Sequence, residues 1–296
     1  YHGVTGVQTC ALPICFVSRN LKVFFRDKTA VFFSLLAVLI VLGLYIFFLG
    51  DVWIDSFPNI KGVKNLMNCW IIAGLIGVTS VTANMGAFGT MIEDKSKNKI
   101  KDFYVSPIKK SKIVGGYIIS SFIVGSMMSV VTLIISQIYL VYSGVDVLNF
   151  KELTEVFLII LMTSLSNSAM ILFIVSLFSS EKAFSTASTI VGTLIGFITG
   201  IYLPISMLPD SVQIIVKLFP TSHGISILRQ IFMKKQMDIS FADVPTNYIN
   251  EFKESMGVVY YINDKLVSNT TSVFILIAST IIFFFLAVLI LYKKKK

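Results

Sequence analysis

The amino-acid sequence predicts an all-α integral membrane protein, and three observations lead to that fold class. Of the 296 residues, 55% are hydrophobic and only 14% are charged. The mean hydropathy is +0.82, far from that of an ordinary soluble domain. The apolar residues form long charge-free runs rather than the short stripes of a globular core. Continuous runs are typical of membrane helices, because hydrocarbon leaves the backbone polar groups of other open structures unsatisfied.

Six stretches without Asp, Glu, Lys or Arg are long enough to cross a bilayer. A hydrocarbon core of ~30 Å requires about 20 residues of helix, and the shortest of the six stretches has 22 residues. We therefore predict a transmembrane domain over residues 29–292. Its six spans are residues 29–50, 65–92, 113–145, 156–180, 183–209 and 266–292.

The basic residues predict the orientation of these spans. Sixteen Lys and Arg residues fall on one side of the membrane and nine on the other, whereas the acidic residues divide into five and eleven in the same order. Because short cytoplasmic loops retain Lys and Arg, we expect both termini to be cytoplasmic, including the basic tail 293–296. The net charge of +9 then reports topology and not nucleic-acid binding. The lysines of this tail are interpreted as a flank that stops the last span at the membrane, and contact of the tail with anionic lipid is the alternative interpretation.

The chain before the first span divides into two parts. Residues 1–14 contain the string VTGVQTCALPI, which looks like translated sequencing-adapter sequence, so we expect a non-native leader there. The alternative, a short signal peptide, lacks a basic segment ahead of its apolar part. Residues 15–28 mix Phe and Leu with Arg and Lys, as in an interfacial helix along the inner membrane surface. A plain cytoplasmic flank is the alternative interpretation.

The long connection between spans five and six predicts a small extracytoplasmic cap over residues 208–269. Residues 211–218 and 225–233 are apolar enough to lie at the membrane interface as short helices. Pro209 and Pro220 each stand where a helix can begin. The rest of the connection is polar and aromatic, and it contains no stripe long enough for a seventh span.

The sequence lacks the motifs of nucleotide and metal chemistry. It has no G-x-x-x-x-G-K-[ST] loop and no Rossmann glycine pattern, and its three cysteines show no metal spacing. Its histidines are His2 and His223, and we interpret His223 as a loop residue near a helix start. The spans contain none of the ionisable residues that ion-coupled transporters keep near the midplane. We therefore expect no catalytic residue, metal or cofactor on this chain, and an energy source elsewhere.

Small and hydroxyl residues recur at helical spacing in spans two and five. The glycines of span five form a double G-x-x-x-G, which lets a second helix approach closely. Tight packing within one subunit and the lining of a translocation path both explain such stripes, and both interpretations stay open. The candidates for the path or for dimer packing are Thr79, Thr82, Asn84, Thr189, Gly192, Thr193, Gly196 and Gly200.

Two segments resemble the permease subunits of type 2 ABC exporters, the ABC-2 family. Residues 93–117 (EDKSKNKIKDFYVSPIKKSKIVGGY) are similar to the cytoplasmic stretch after span two in that family. Residues 200–229 (GIYLPISMLPDSVQIIVKLFPTSHGISILR) are similar to the family's Pro-bearing end of span five, with its Leu-Pro turn and Leu-Arg pair. The order and spacing agree across residues 16–292. One departure lies at residues 94–97, where a basic residue often follows the acidic one directly in the family.

The resemblance implies a permease that forms a dimer with a second copy or a paralogue. It implies a separate ABC ATP-binding subunit, which carries ATP and Mg²⁺, on the cytoplasmic face, and export through a path between the two halves. Spans two and five face the dimer axis in that family. The expected location is the bacterial plasma membrane.

The cytoplasmic segment 93–112 is the predicted place where motion of the ATP-binding subunit enters the membrane. Span two ends at Ile92, and Pro107 disfavours helix at the preceding residue, so a brief helix fits between them. Glu93 and Asp94 would favour its N-terminus or meet a basic residue of the partner, and Phe103 and Tyr104 would offer an apolar knob. The alternative is a solvated basic loop that only fixes topology.

Other classes of function stay open on the sequence alone. A stand-alone channel or an ion-coupled carrier is one, and co-purification of an ATPase would decide against it. A membrane-embedded enzyme would need paired carboxylates or histidines at span ends, and only Glu93 with Asp94 comes close. The uncharged spans suit a drug, an antibiotic or another amphiphile, with lipid-linked polysaccharide as the alternative substrate.

Overall fold

Helices make up nearly all of the protein in the computed structural model, which describes residues 13–49, 52, 60–100, 103, 110–242, 244–262 and 265–293. The described residues form ten α-helices, a short 3-10 helix (Ile205–Met207) and one two-stranded antiparallel hairpin. The helices are α1 (Pro13–Arg26), α2 (Lys28–Leu44, continued by a π-helical turn Tyr45–Leu49), α3 (Val63–Ser96), α4 (Lys110–Tyr142), α5 (Phe150–Leu177), α6 (Glu181–Ile198), α7 (Asp210–Leu218), α8 (Pro220–Ser240), α9 (Thr246–Ser255) and α10 (Asn269–Lys293); the strands are β1 (Tyr261–Ile262) and β2 (Lys265–Leu266).

A helix lies in each of the six predicted spans. Four of these helices are long and apolar enough to cross a membrane, within Val63–Ser96, Lys112–Tyr142, Phe150–Leu177 and Asn269–Leu291. The other two, α2 and α6, are shorter. α6 ends at Ile198 because Gly200 takes a left-handed conformation with φ of 64°, which terminates helices without the steric penalty of a Cβ atom. The protein is therefore an all-α, multi-pass membrane protein.

The central element is α3, which packs against α2, α4, α5, α6 and α8. In its apolar window 94% of the residues are buried. Leu66, Trp70 and Ile72 are fully covered by neighbouring helices. A helix that is apolar on every side must be surrounded by protein or lipid, and here the protein itself provides most of the cover.

The outer helices present large apolar side chains to their surroundings. Only 17% of the apolar window of α10 is buried, and α10 packs mainly on α5. Ile138 on α4, Phe157 on α5 and Phe285 on α10 are all exposed. Such side chains suit contact with lipid tails, which are as apolar as the side chains themselves.

The connection between α6 and α10 is more helical than the sequence indicates. Pro209 precedes α7 and Pro220 is the first residue of α8, as predicted from their positions. α8 packs against α3, α5 and α10. Glycines permit this approach, since a Cβ atom at Gly77 would lie 2.6 Å from the Cδ1 atom of Ile225.

Candidate functional site

Charged and aromatic side chains join α1, α3 and α4 at the end of α3 that the sequence predicts to be cytoplasmic. We call Phe16, Arg19, Asp94, Phe103 and Tyr117 the Asp94 cluster. Two nitrogens of the Arg19 guanidinium donate to the two carboxylate oxygens of Asp94, at 2.5 and 2.8 Å. The Tyr117 hydroxyl donates to the same carboxylate at 2.6 Å. This two-pronged pairing is the strongest geometry available to these groups, and the hydrogen bond with Asp94 raises the pKa of Arg19.

Aromatic rings cover the ion pair of the Asp94 cluster. The ring of Phe16 meets those of Phe103 and Tyr117 edge to face, with centroids 5.2 and 5.0 Å apart. The Arg19 guanidinium lies 5.6 Å from the Phe103 ring centroid. The Asp94 side chain is 1% exposed and that of Arg19 31%. Asp94 is therefore an internal joint between three helices and has no free surface for a partner protein.

The helix around Asp94 differs from the sequence prediction in one respect. α3 continues without a break to Ser96 instead of ending at Ile92, because no Pro or Gly interrupts these residues and Asp94 has an internal partner. Glu93 points outward and pairs with Lys97 at 2.7 Å and Lys99 at 3.7 Å. The other two residues of the predicted coupling segment, Tyr104 and Pro107, lie outside the described residues.

The polar stripe of α3 faces the interior of the subunit. Thr79 and Asn84 are fully buried and Thr82 is half-buried. The Thr79 hydroxyl lies 3.1 Å from that of Thr132 on α4, and Ser121 on α4 donates to the Asn84 side chain at 2.6 Å. Their burial favours the packing interpretation over the path for Thr79 and Asn84.

Asn84 belongs to a wider set of buried hydrogen bonds that links α3 to α5 and α8. The Asn167 amide donates to Ser80 at 3.0 Å, and the Thr221 hydroxyl donates to Asn167 at 2.7 Å. Interhelical hydrogen bonds of this kind join helices where apolar contact alone gives little specificity. The set fixes the relative positions of four helices in the middle of the molecule.

The polar stripe of α6 is open, in contrast to that of α3. Only Phe184, Ile195 and Gly196 are buried in this helix, whereas Thr189 and Thr193 are exposed. Their hydroxyls donate to backbone carbonyls four residues earlier, at 3.1 and 2.9 Å. The face is thus polar in composition, yet its hydroxyl donors are already satisfied.

The three glycines of the double G-x-x-x-G have different surroundings. A Cβ atom at Gly192 would meet nothing within 4 Å, whereas one at Gly196 would collide with the Tyr202 ring of the same chain. Gly200 supplies the left-handed residue after α6. Only Gly192 keeps an open face for a second helix, because a turn of this chain already occupies the other two positions.

Sequence reasoning missed two arginines that the fold makes central. Arg19 entered the sequence analysis only as one of the basic residues of the predicted interfacial helix, although its opposite charge to Asp94 at the same membrane face was a usable signal. Arg229 is fully buried on α8, and the sequence indicated it only as the Arg of the Leu-Arg pair in the family resemblance, without a structural role. Among the described residues, no group of three His, Cys, Asp or Glu side chains could hold a metal ion.

The described residues thus form a multi-pass helical bundle of a membrane protein, with a buried ion pair at one end of α3 and exposed hydroxyl residues on the short helix α6. The sequence matches the model of the family described as ABC-2 family transporter protein over residues 54–289. This chain therefore belongs to the ABC-2 transporter family, and the resemblance noted from its motifs is confirmed. Members of the family are transmembrane transport subunits that generally work with an ATP-binding subunit. No curated protein matches the sequence.

Proposed function

We propose that this chain is the permease subunit of an ATP-driven exporter in the bacterial plasma membrane. In this proposal six helices, α2 to α6 and α10, cross the membrane, and both termini are cytoplasmic. Two permease copies form the path, and each binds a separate ATP-binding subunit. Membership of the ABC-2 family and the division of basic residues support this assignment.

The open face of α6 is the observation that carries the proposal. Among the spans, α6 has the hydroxyl residues Thr186, Thr189 and Thr193 exposed together with Ile190 and Leu194. Each hydroxyl donates to its own helix backbone but keeps a lone pair that can accept a hydrogen bond from water or a substrate. Against a second copy, they form a wall that is polar but uncharged, and that wall suits a substrate with both apolar and polar parts.

The Asp94 cluster supplies the route by which the ATP-binding subunit moves that wall. A partner that pushes α1 or the segment after α3 moves the cytoplasmic end of α3 with it, because the Arg19–Asp94 pair ties these elements together. α3 in turn packs against α6. ATP binding then shifts the equilibrium between the inward-open and outward-open states. The size of the shift is set by the difference between the ATP-bound partner's affinities for the two states.

The substrate class follows from the same wall. The exposed side chains of α6 carry no formal charge between Ala183 and Ile198, so a drug, an antibiotic or another amphiphile fits this surface. Export of a lipid-linked polysaccharide is the second candidate, since its lipid part suits the apolar residues of the same face.

We expect single cysteines at Ser180 and Asn247 to react with membrane-impermeant maleimide from opposite sides. Both positions are exposed, and the charge division places Ser180 inside and Asn247 outside. The measurement is labelling of intact cells and of inverted vesicles, with Cys10, Cys15 and Cys69 replaced by alanine. Labelling of Ser180→Cys in intact cells would show the opposite orientation, and it would contradict the proposed contact with an ATP-binding subunit.

We expect a cysteine at Thr189 to form a disulfide between two copies in native membranes, with a yield that changes on trapping with ATP and vanadate. The open face of α6 meets its counterpart in the dimer, and ATP changes their separation. Ile281→Cys, which is 63% exposed on α10, is the matched control and should not cross-link. Absence of the Thr189 cross-link contradicts a dimer in which the two α6 faces meet. A yield that is the same with and without ATP and vanadate contradicts the proposal that ATP drives the motion.

A further inference from the structure

Arg229 is a buried cation that, among the described residues, donates hydrogen bonds to backbone carbonyls and stacks on an aromatic ring. Its side chain is fully buried in α8, and among the residues that the structure describes no carboxylate lies within ion-pair distance of it. Burial lowers the pKa of Arg229 to about 10, so the guanidinium is charged at neutral pH. A buried charge without a counterion is costly, so the groups that hold the guanidinium have to offset that cost.

The guanidinium of Arg229 links two separate segments of backbone. One nitrogen donates to the carbonyls of Gly200 at 2.8 Å and Thr199 at 3.5 Å. Another donates to the carbonyls of Met256 at 3.1 Å and Gly257 at 3.3 Å. The first pair follows directly after α6, where carbonyls have no partner in the helix and the helix dipole is negative. Arg229 therefore acts as a C-terminal cap donated to α6 by another helix.

The central helix α3 holds the other side of the guanidinium. The Trp70 ring lies under it, with 4.5 Å between its centroid and the Cζ atom of Arg229. The Trp70 indole N–H donates to the Met256 carbonyl at 2.7 Å, so Trp70 and Arg229 share one acceptor. Glycine makes room on the far side, since a Cβ atom at Gly257 would lie 2.9 Å from the Arg229 Nη1 atom.

We propose that Arg229 is a positioning residue that locks the predicted external end of α6 to α3 and to the Met256–Gly257 turn. These elements then change position together, so the open face of α6 follows the central helix during transport. The inference rests on the proposed function, in which α6 forms the wall of the path. A planar fork is required, because only it reaches both backbone segments while lying flat on an indole.

Hydrogen–deuterium exchange of the purified full chain tests the local part of this inference. The amides of Thr199 and Ile201 are bonded inside the end of α6, at 2.9 and 2.8 Å. In Arg229→Lys we expect exchange at residues 199–202 to rise by about tenfold, while α4 and α5 stay protected, since local opening is independent of global unfolding. Lys234→Met, at an exposed position of α8, is the control. It should change neither the exchange at residues 199–202 nor the protection of α4 and α5.

A second variant separates the two arms of the Arg229 contact. Trp70→Phe keeps a ring under the guanidinium but loses the indole donor, so exchange should rise around residues 256–258 and not at residues 199–202. If Arg229→Lys raises exchange across the whole chain equally, or leaves residues 199–202 unchanged, the positioning role is overturned.

The nucleotide response of the Thr189→Cys cross-link tests the coupled motion. Arg229→Lys should retain the cross-link but lose at least half of its change on ATP–vanadate trapping. If the cross-link of the Thr189→Cys parent responds to ATP–vanadate trapping and the Arg229→Lys variant responds equally, the coupled motion is overturned. If the Thr189→Cys parent itself shows no response, the proposed function fails, and the exchange data alone decide the positioning of α6.

Discussion

Replacing Asp94 with alanine is expected to lower the free energy of unfolding by about 2–3 kcal/mol, since it leaves Arg19 without its counterion and the Tyr117 hydroxyl without its acceptor. The partial exposure of Arg19 keeps the loss below that of a fully buried pair. The same variant should assemble poorly with the ATP-binding subunit, because α1 is no longer tied to α3. Equilibrium unfolding in mixed micelles and co-purification of the partner measure the two effects.

Glu93→Ala is the matched control for the Asp94 variant. The Glu93 side chain is 38% exposed and pairs only with exposed lysines, so its removal should cost less than about 0.5 kcal/mol. In a double-mutant cycle, Arg19→Ala combined with Asp94→Ala should cost less than the sum of the single changes. Equal losses of unfolding free energy for Asp94→Ala and Glu93→Ala would contradict the structural role of the Asp94 cluster.

Replacing Gly125 with leucine is expected to destabilise the protein by about 3 kcal/mol, the upper part of the range for overpacking a core. A Cβ atom there would lie 2.6 Å from the Ser164 hydroxyl and would also collide with the Asn84 amide. The larger side chain therefore both strains α4 and separates buried hydrogen-bonding partners. Unfolding in mixed micelles measures the loss, and weakened protection of the Asn84 region by hydrogen exchange locates it.

Gly115→Leu on the same helix is the control for the Gly125 variant. A Cβ atom at Gly115 would meet nothing within 4 Å, and leucine favours helix over glycine by up to about 1 kcal/mol. The change should be neutral or stabilising. Similar destabilisation in the two variants would show that α4 tolerates no large residue on any face, and would contradict the specific role of the Gly125 contact.

The predicted positions of the spans depend on local information, and the structure has a helix in each. Charge-free runs of more than 20 residues have few alternatives to helix in a membrane, so the locations of α3, α4, α5 and α10 follow from composition. Pro209 and Pro220 likewise marked the starts of α7 and α8 through their backbone geometry. The six-span count and the orientation stay predictions that labelling has to test.

The candidate site was less accessible to sequence reasoning than the spans. Helical spacing shows that Thr79, Asn84, Thr189 and Thr193 lie on polar stripes, but not which neighbour covers each stripe. The fold turns the stripe of α3 toward α4 and α5 and leaves that of α6 open. The packing interpretation therefore suits Thr79 and Asn84, whereas the roles of Thr189 and Thr193 in the path or in the dimer stay proposals.

By itself, the sequence determined the fold class, the family and the positions of the apolar helices, because hydrophobicity acts through the solvent around each segment. Only the tertiary structure decided the partners of Asp94 and Arg229. Arg19 lies 75 residues from Asp94 in the chain, and the carbonyls that hold Arg229 belong to backbone, which carries no sequence signal. Contacts of this kind depend on the meeting of distant segments, and that meeting is fixed by packing rather than by local pattern.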